Sequence, residues 1–416
     1  MKSLMRIGIV VQRYGKDITG GSETLARDVA EHLNASGCDV TVFTSCARDY
    51  ISWKNEFAPG ESILKGVRIL RFPVEHERDI EEFNCFSESL FPKLPNTSPE
   101  EEKKWLEMQG PFCPSLIDKL HTSQSDFDCF IFFTYLYYTA VEGIKTIKKP
   151  IILFPTAHDE PPLYLNMIKN VFHKPDALFF LTRAEQEFVL KTFSPQHSNV
   201  LIRTGIEIDD SIDENQFKRN YFQIIPYLLY AGRIEKGKGL EVVFEAFGEM
   251  RKRRLINLVL IGKKLMDIPD IEGINYLGYI PEKDKLAAFK GAIASIQPSA
   301  LESLSITTLE SFSVKTPVLV NKKSPALVEH VELSEGGFSY EDPNDLIRKF
   351  FTLYDNRNIR NQIGIKGYNY VKTYFSWDVV LENIKKHLNE LVFSQGAFLQ
   401  NRPLDPRKTL HNYEKM

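Results

Sequence analysis

Two glutamates lie eight positions apart in this chain, and their setting suggests where they point. Glu302 follows a strand-like run at 292–297, and Glu310 lies inside a helix-like run. Eight residues of helix is about 800° of rotation, which brings two positions within roughly 80° of one face. Because Glu302 precedes the helix, we expect it to reach into a cleft that Glu310 lines from the first turns.

The helix that carries Glu310 also offers an anion site. Its first backbone N–H groups have no partner within the helix, and the helix dipole places partial positive charge there. Two acids beside an anion site suit a ligand that joins phosphate to polyhydroxyl groups. A nucleotide sugar is such a ligand.

A second motif lies about 60 residues upstream. A buried strand-like run at 227–231 leads into a glycine-bearing turn with Arg233 and Lys238, and an amphipathic helix at 240–250 follows. In an α/β unit this turn lies at the carboxyl end of the sheet, where ligands bind. Arginine offers a planar fork for a diphosphate, and lysine a mobile point charge. Solvated surface charges are the alternative, but the glycines and the strand–turn–helix context favour a ligand site.

With these two motifs the chain resembles the retaining glycosyltransferases of family 4, which have the GT-B fold. That family's usual pattern is a Gly-Arg turn, a Lys five residues after the Arg, and a pair of Glu separated by seven residues. The matching positions here are Gly232-Arg233, Lys238, Glu302 and Glu310. The resemblance covers the C-terminal half well and the N-terminal half more loosely.

Two departures from the family pattern concern glycines. Ser303-Leu304-Ser305 stands where the family often has Gly-Phe-Gly, and Lys315-Thr316-Pro317 stands where it often has Gly-Thr-Pro. These changes concern the backbone path that the resemblance places beside the phosphate, and they leave the charges unchanged.

Strand-like and helix-like runs alternate through both halves, which predicts parallel, doubly wound α/β sheets. We assign residues 1–210 to a first Rossmann-like domain and 211–375 to a second. The resemblance implies that they face each other across a GT-B cleft, the first on the acceptor side and the second on the donor side. A helix at 376–395 is expected to cross back onto the first domain, and 396–416 to form a loosely held tail.

One segment of the first domain, at about 75–121, breaks the alternation. It is Pro-rich and charged, and we expect it to be irregular, with one helix from Pro99 to Met108. A long insertion in a compact domain is often functional. It could shape an acceptor site or touch a membrane, and a solvated excursion with its own small packing is equally open.

Two further candidates lie in the first domain. Gly21 stands in a Gly-Gly turn after the first strand, and a plain loop is the alternative to a ligand contact there. His158 follows a strand and has Asp159 beside it, which resembles a His-Asp segment near the sugar in the family. A lone histidine is more often structural than functional.

The resemblance implies specific roles for residues of this chain. The catalytic set comprises Glu302, His158, Arg233 and Lys238. The donor-binding set comprises Gly21, Arg233, Lys238, Glu302, Leu304, Ser305, Ile306 and Glu310. We expect no metal and no cofactor, because the cationic side chains would neutralise the leaving diphosphate themselves.

The expected activity is retaining, metal-independent transfer of a hexosyl group from a UDP- or GDP-linked sugar to a glycan or lipid-linked acceptor, as in polysaccharide or glycoconjugate biosynthesis. An epimerase of the same architecture is one alternative. A non-catalytic nucleotide-sugar-binding subunit is another, although it predicts missing charges at motif positions where this chain has them all. A phosphorylase would need a pyridoxal lysine, and no segment suggests one.

Composition agrees with an ordinary globular enzyme. The 416 residues suffice for two domains, and 43% are hydrophobic and 26% charged. A net charge of −3 gives no field for nucleic acid. The first residues have no signal-peptide layout, and the five cysteines are interpreted as reduced core thiols. We therefore expect a cytoplasmic protein, with peripheral contact at the inner face of a membrane left open.

Overall fold

A computed structural model of the chain describes residues 4–18 and 20–398. Among these residues, eight strands form one sheet and six form another. Most of the predicted tail, from 399 onward, lies outside the described residues. Within the described part no helix is long and apolar enough to cross a membrane.

The first sheet is parallel except for an antiparallel hairpin at one edge, and its order is β3-β4-β2-β1-β5-β6-β7-β8. Alternate residues of the Cys129–Phe133 strand belong to two different apolar clusters, so both faces of the sheet are covered. The strands are β1 (Arg6–Val10), β2 (Asp39–Ser45), β3 (Gly60–Leu64), β4 (Val67–Phe72), β5 (Cys129–Phe133), β6 (Ile151–Phe154), β7 (Ala177–Phe180) and β8 (Ser198–Leu201). The helices beside it are α1 (Gly21–Ala35), α2 (Ile80–Leu90), α3 (Pro99–Gln109), α4 (Pro114–Ser123), α5 (Tyr138–Thr146), α6 (Asn166–His173) and α7 (Arg183–Phe193).

The second sheet is parallel throughout, in the order β11-β10-β9-β12-β13-β14. Its strands are β9 (Tyr227–Ala231), β10 (Asn257–Ile261), β11 (Ile274–Gly278), β12 (Ala294–Gln297), β13 (Val318–Asn321) and β14 (Gly337–Tyr340). The accompanying helices are α8 (Glu214–Asn220), α9 (Leu240–Arg253), α10 (Glu282–Gly291), α11 (Ile306–Ser313), α12 (Pro325–Ser334), α13 (Pro343–Asp355), α14 (Arg357–Tyr374) and α15 (Trp377–Phe398).

The insertion at 75–121 is helical, so the expectation of an irregular segment was wrong. The predicted helix from Pro99 is present as α3, and α2 and α4 accompany it. Helix α2 begins after Asp79, whose carboxylate accepts two backbone N–H groups of the first turn at 3.0 Å. The buried Trp105 donates to Ser87 Oγ at 2.9 Å and so ties α3 to α2. Capping and one buried indole organise a segment whose composition suggested a loop.

Helix α15 joins the second domain to the first. The Trp377 ring stacks on the His32 ring of α1 at a centroid distance of 3.7 Å, and Lys385 Nζ donates to the Ser36 carbonyl oxygen. The backbone N–H of Ile206 donates to the Phe375 carbonyl oxygen at 2.6 Å.

One of the described cysteines, Cys85, is exposed, so the interpretation of all five cysteines as core thiols does not hold for it.

This junction depends on Gly205, because a Cβ there would lie 2.1 Å from a Trp377 ring atom. We expect Gly205→Ala to lower the free energy of unfolding by about 1–3 kcal/mol, since the clash must push the indole off α1. Gly248→Ala in α9 is the matched control, because its Cβ meets nothing within 4 Å. Urea unfolding followed by tryptophan fluorescence measures both. Equal effects of the two substitutions would contradict this account.

Candidate functional site

The predicted residues follow strands of both sheets at their carboxyl ends. Lys238 follows β9 and Glu302 follows β12, and the Lys238 Nζ lies 2.7 Å from Glu302 Oε1. The two side chains are partly buried, with 24% and 20% of their surfaces exposed. Their loops meet at Gly239, whose φ is +76° and where a Cβ would lie 2.5 Å from the Pro298 carbonyl oxygen. Only glycine permits this close approach.

Arg233 lies at the junction of the two domains. Its guanidinium is 3.1 Å from Glu235 Oε1 and stands over the Tyr50 ring at 4.9 Å. The Tyr50 hydroxyl donates to Glu235 Oε2 at 3.1 Å, and Arg13 stands over the same ring at 5.3 Å. Burial acts against the charge of Arg233, but Glu235 and Tyr50 outweigh it and raise the pKa of the guanidinium. Tyr50 of the first domain therefore helps to hold a cation of the second.

Glu310 lies in the second turn of α11 and is paired with a lysine that the motifs did not indicate. Lys285 Nζ of α10 is 2.9 Å from Glu310 Oε1. The other oxygen, Glu310 Oε2, is buried and has no hydrogen-bond partner among the described residues. Burial raises the pKa of Glu310, with Lys285 acting in the opposite direction. One oxygen is thus held by the protein, and the second is a free acceptor.

His158 comes from the loop after β6, and Glu302 is one of the two acids that raise its pKa. Its Nε2 lies 3.4 Å from Glu160 Oε2, and Glu160 Oε1 accepts from the Tyr135 hydroxyl at 2.5 Å. Burial opposes protonation, but Glu160 outweighs it, so the pKa of His158 is raised. His158 Nδ1 is buried without a partner among the described residues.

The loop that carries His158 is anchored by a buried carboxylate. Glu185 accepts the backbone N–H of Ala157 at 2.7 Å and that of Leu181 at 2.9 Å. Burial raises the pKa of Glu185 to about 7, with these two hydrogen bonds opposing it. The neighbouring Thr182 hydroxyl donates to the Ser303 carbonyl oxygen across the domain junction at 2.9 Å. The same short segment therefore supports the loops of both His158 and Glu302.

The segment after Glu302 has a glycine-like backbone without glycines. Ser305 has a φ of +71°, which a residue with a side chain rarely adopts, and it immediately precedes α11. Lys315, the other family glycine position, has a φ of +66°. The unusual backbone path is therefore present at two of the three positions where this chain replaces a family glycine, and Ser303 is the exception.

Leu304 and Ile306 fit a direct donor contact less well than Ser305 does. The Leu304 side chain is buried in the core, and its carbonyl oxygen accepts from His330 Nε2 at 2.9 Å. Ile306 packs against the same core and opens α11. The side chains of Leu304 and Ile306 both pack in the core, and the Leu304 carbonyl already has a partner. These two residues therefore offer a ligand their backbone N–H groups as candidate donors.

The glycine turn after β1 opens α1 at Gly21, where a Cβ would meet nothing within 4 Å. Gly20 is the constrained position, since its φ is +156° and a Cβ would lie 2.2 Å from Glu23 Oε2. Glu23 is itself buried in an ion pair with Arg13 at 2.6 Å. The exposed backbone at Gly21 can approach a ligand, and Gly20 allows the turn.

No cluster of three or more His, Cys, Asp or Glu side chains suited to a metal ion occurs among residues 4–18 and 20–398. The Asp126 and Asp128 pair precedes β5, and Asp128 binds Arg6 at 2.9 Å at the amino end of β1. These carboxylates therefore lie at the amino ends of the strands, whereas the candidate site lies at the carboxyl ends.

Residues 211–370 match the family model described as Glycosyl transferases group 1. The chain contains a glycosyl transferases group 1 domain. That domain carries Arg233, Lys238, Glu302 and Glu310. An uncharacterized glycosyltransferase of Methanocaldococcus jannaschii is 26% identical over 238 residues, which cover 54% of this chain and 61% of that protein. The chain thus matches about three-fifths of the length of this curated relative.

Solved structures confirm the predicted α/β GT-B architecture around this domain. Sucrose-phosphate synthase from Thermosynechococcus elongatus superposes with a TM-score of 0.71 at 16% identity, covering 95% of this chain and 100% of that one. HepE from Anabaena, solved in complex with UDP and glucose, gives a TM-score of 0.70 at 14% identity, covering 93% and 100%. At these identities the likeness shows the fold alone.

The sequence motifs did not reveal several residues of the candidate site. Tyr50 is 185 positions from its partner Glu235, and Lys285 is 25 positions from its partner Glu310, so no local pattern connects them. Glu185 had a weak signal, because Thr182 three residues before it forms an N-cap for α7. Glu235 had a stronger one, since it lies two residues after Arg233 in the same turn.

The loop at Leu304 depends on a buried neutral histidine. Burial lowers the pKa of His330 to about 4 from 6.5, with Arg203 adding to the effect and the bond to Leu304 opposing it. The unfolded chain therefore takes up this proton near pH 6.5 and the folded chain only near pH 4. The contribution of neutral His330 to the free energy of unfolding is therefore fully present above pH 6.5, and it is lost as the pH falls toward 4.

We expect the wild-type protein to lose about 2 kcal/mol of unfolding free energy through His330 between pH 7 and pH 5. His330→Gln keeps a donor for the Leu304 carbonyl but cannot titrate, so its stability should depend less on pH over this range. Urea unfolding at several pH values measures the slope. His121→Gln, at an exposed position of α4, is the control and should keep the wild-type slope. A wild-type slope in His330→Gln would show that the histidine titrates normally.

Proposed function

We propose that this protein is a retaining glycosyltransferase that transfers a hexosyl group from a UDP- or GDP-linked sugar to a glycan or lipid-linked acceptor. The observation that carries the proposal is the ion pair of Lys238 with Glu302, whose loop the first domain contacts through Thr182 and where Glu302 also raises the pKa of His158. Catalytic groups from both sheets at facing carboxyl ends are what a bisubstrate transfer requires. We further propose a role in polysaccharide or glycoconjugate biosynthesis.

The leaving diphosphate would be neutralised by Arg233, Lys238 and the start of α11. Both side chains lie in a partly buried setting, where each charge–charge interaction is stronger than in water. Charge stabilisation of this kind is typically worth several kcal/mol in a transition state. Gly21 at the start of α1 would add backbone N–H groups from the opposite side. In this proposal the chain supplies the cations, and no metal or cofactor takes part.

Glu310 would accept hydrogen bonds from the ribose diol, which its unpartnered Oε2 supports. Glu302 would hold sugar hydroxyls near the reacting carbon, with Lys238 keeping its carboxylate in place. His158 would contact the sugar beside the bond that breaks. The acceptor hydroxyl would lose its proton to the departing phosphate. Neither glutamate is assigned as a covalent nucleophile, since that role needs a carboxylate across the bond from an acid, as in retaining glycosidases.

The insertion at 75–121 would shape the acceptor side. Arg78 donates to the Ile51 carbonyl oxygen at 2.8 Å and also to that of Tyr50, so the insertion reaches the loop that touches Arg233. It contains 11 Asp and Glu against 5 Lys and Arg. This acidic balance opposes adsorption to anionic lipid. We therefore propose that it contacts the acceptor and not a bilayer, in a cytoplasmic enzyme.

A nucleotide-sugar epimerase of this architecture and a non-catalytic binding subunit are the other candidate functions. An epimerase would convert the donor without any acceptor. A binding subunit would bind the donor and release no nucleoside diphosphate. Product analysis by mass spectrometry distinguishes the three outcomes.

We expect the rate of sugar transfer to be unchanged in EDTA, because the chain supplies the cations itself. We expect this rate to fall by about 10²-fold or more in Arg233→Ala and in Lys238→Ala, because each substitution leaves diphosphate charge uncompensated. Release of nucleoside diphosphate from a panel of UDP-, GDP- and ADP-sugars is the measurement. Lys236→Ala is the matched control, since Lys236 is exposed in the same turn.

Full activity in Arg233→Ala or in Lys238→Ala, with an unchanged fold, would overturn the proposal that these two side chains bind the diphosphate. Loss of turnover in EDTA that Mg²⁺ or Mn²⁺ restores would overturn metal independence.

The two glutamates should have separable effects. Glu310→Gln should weaken binding of the nucleoside diphosphate by roughly 1–3 kcal/mol, because it removes a charge-assisted acceptor from the ribose. Glu302→Gln should lower kcat more than donor affinity and leave nucleoside diphosphate binding nearly unchanged. Calorimetry and initial rates test the pair. The reverse pattern would mean that the donor is oriented the other way in the cleft.

A further inference from the structure

Lys285 is the best-placed group near the candidate site to which no role has yet been given. It lies one turn into α10, and its Nζ is 2.9 Å from both Glu310 Oε1 and Glu282 Oε1. The lysine side chain is 19% exposed and that of Glu310 is 12% exposed, whereas Glu282 is open to solvent at 65%. The Lys285–Glu310 ion pair, called the inner pair below, is therefore the more buried of the two.

The inner pair leaves one carboxylate oxygen of Glu310 free. Oε1 is taken by Lys285, and Oε2 is buried without a protein partner among the described residues. A buried unpaired acceptor costs free energy unless something donates to it. Because Lys285 fixes the first oxygen, the direction of the second is also fixed.

We propose that Lys285 is a positioning residue, which holds the Glu310 carboxylate by one oxygen so that the other accepts hydrogen bonds from the ribose of the bound nucleotide. This inference rests on the proposed function, since it assigns the ligand of Glu310 to the nucleotide. Lys285 itself does not touch the nucleotide in this arrangement.

The charges around Glu310 explain why a cation is needed there. Burial raises the pKa of Glu310, Lys285 opposes this, and the acids Glu282 on α10 and Asp28 on α1 raise it further. The pKa of Lys285 is raised in turn, since Glu310 and Glu282 outweigh its burial. Without the lysine, burial and two neighbouring acids would act on Glu310 unopposed. A protonated carboxyl group is a weaker acceptor for ribose hydroxyls.

The test is calorimetric binding of the nucleoside diphosphate that wild-type protein binds most tightly among UDP, GDP and ADP, between pH 6.5 and pH 9. For Lys285→Met we expect about 10-fold weaker binding than wild type at pH 6.5 and a smaller loss at pH 9, because a higher pH opposes protonation of Glu310. The ratio to wild type at each pH cancels the ionisation of the phosphates. Glu282→Gln is the matched control and should stay within about 2-fold of wild type at every pH.

A second pair of variants isolates the dependence on Glu310. Lys285→Met/Glu310→Gln should bind as Glu310→Gln does, because no carboxylate remains for the lysine to hold. Lys285→Arg keeps the charge and should show no pH dependence of the ratio to wild type. These variants also serve if Lys285→Met alone does not fold.

Three results would overturn the proposal. They are wild-type binding by Lys285→Met at all pH values, an equal loss at all pH values, and further weakening of Glu310→Gln when Lys285 is also removed. The last result would mean that Lys285 contacts the nucleotide directly. Failure of the wild-type protein to bind any nucleoside diphosphate would instead refute the proposed function.

Discussion

Each charge at the candidate site is compensated by an opposite charge, often from a different element, and the arrangement of the cleft depends on this. Lys238 is paired with Glu302, Arg233 with Glu235, and Glu310 with Lys285. A partly buried charge without a partner would be costly to desolvate, so each pair fixes the loops that supply it. A diphosphate at this site must compete with Glu235 and Glu302 for the two cations. Binding of a diphosphate should therefore move Glu235 and Glu302 as well as the two cationic side chains.

The domain junction makes that pairing possible, because the groups come from two sheets. The Trp377 indole stacks on His32 and packs against Gly205, which ties the two domains together. Nearer the site, Tyr50 reaches from the loop after β2 to Arg233 and Glu235. The first domain therefore contacts Arg233, the side chain that we propose binds the diphosphate.

The parallel sheets and the charged motif residues could be predicted from the sequence, because both depend on local patterns. Lys238 and Glu302 each follow a strand, so their meeting follows from the shared carboxyl edge of the sheet. Lys285 could not be predicted, since a lysine on an amphipathic helix resembles any solvated surface lysine. Helix α2 of the insertion was missed because its capping residue, Asp79, lies in a stretch whose composition suggests a loop. The unusual backbone at Ser305 was also hidden, because the residue type gives no sign of a positive φ.

The central claim is that a nucleoside diphosphate binds between the turn after β9 and the start of α11. A crystal structure of the protein soaked with the tightest-binding nucleoside diphosphate tests this most directly. We predict that the phosphates will contact Arg233 and Lys238 and that the ribose will lie on Glu310. Density for the nucleotide elsewhere on the chain, with Arg233 and Lys238 still bound only to Glu235 and Glu302, would contradict the account.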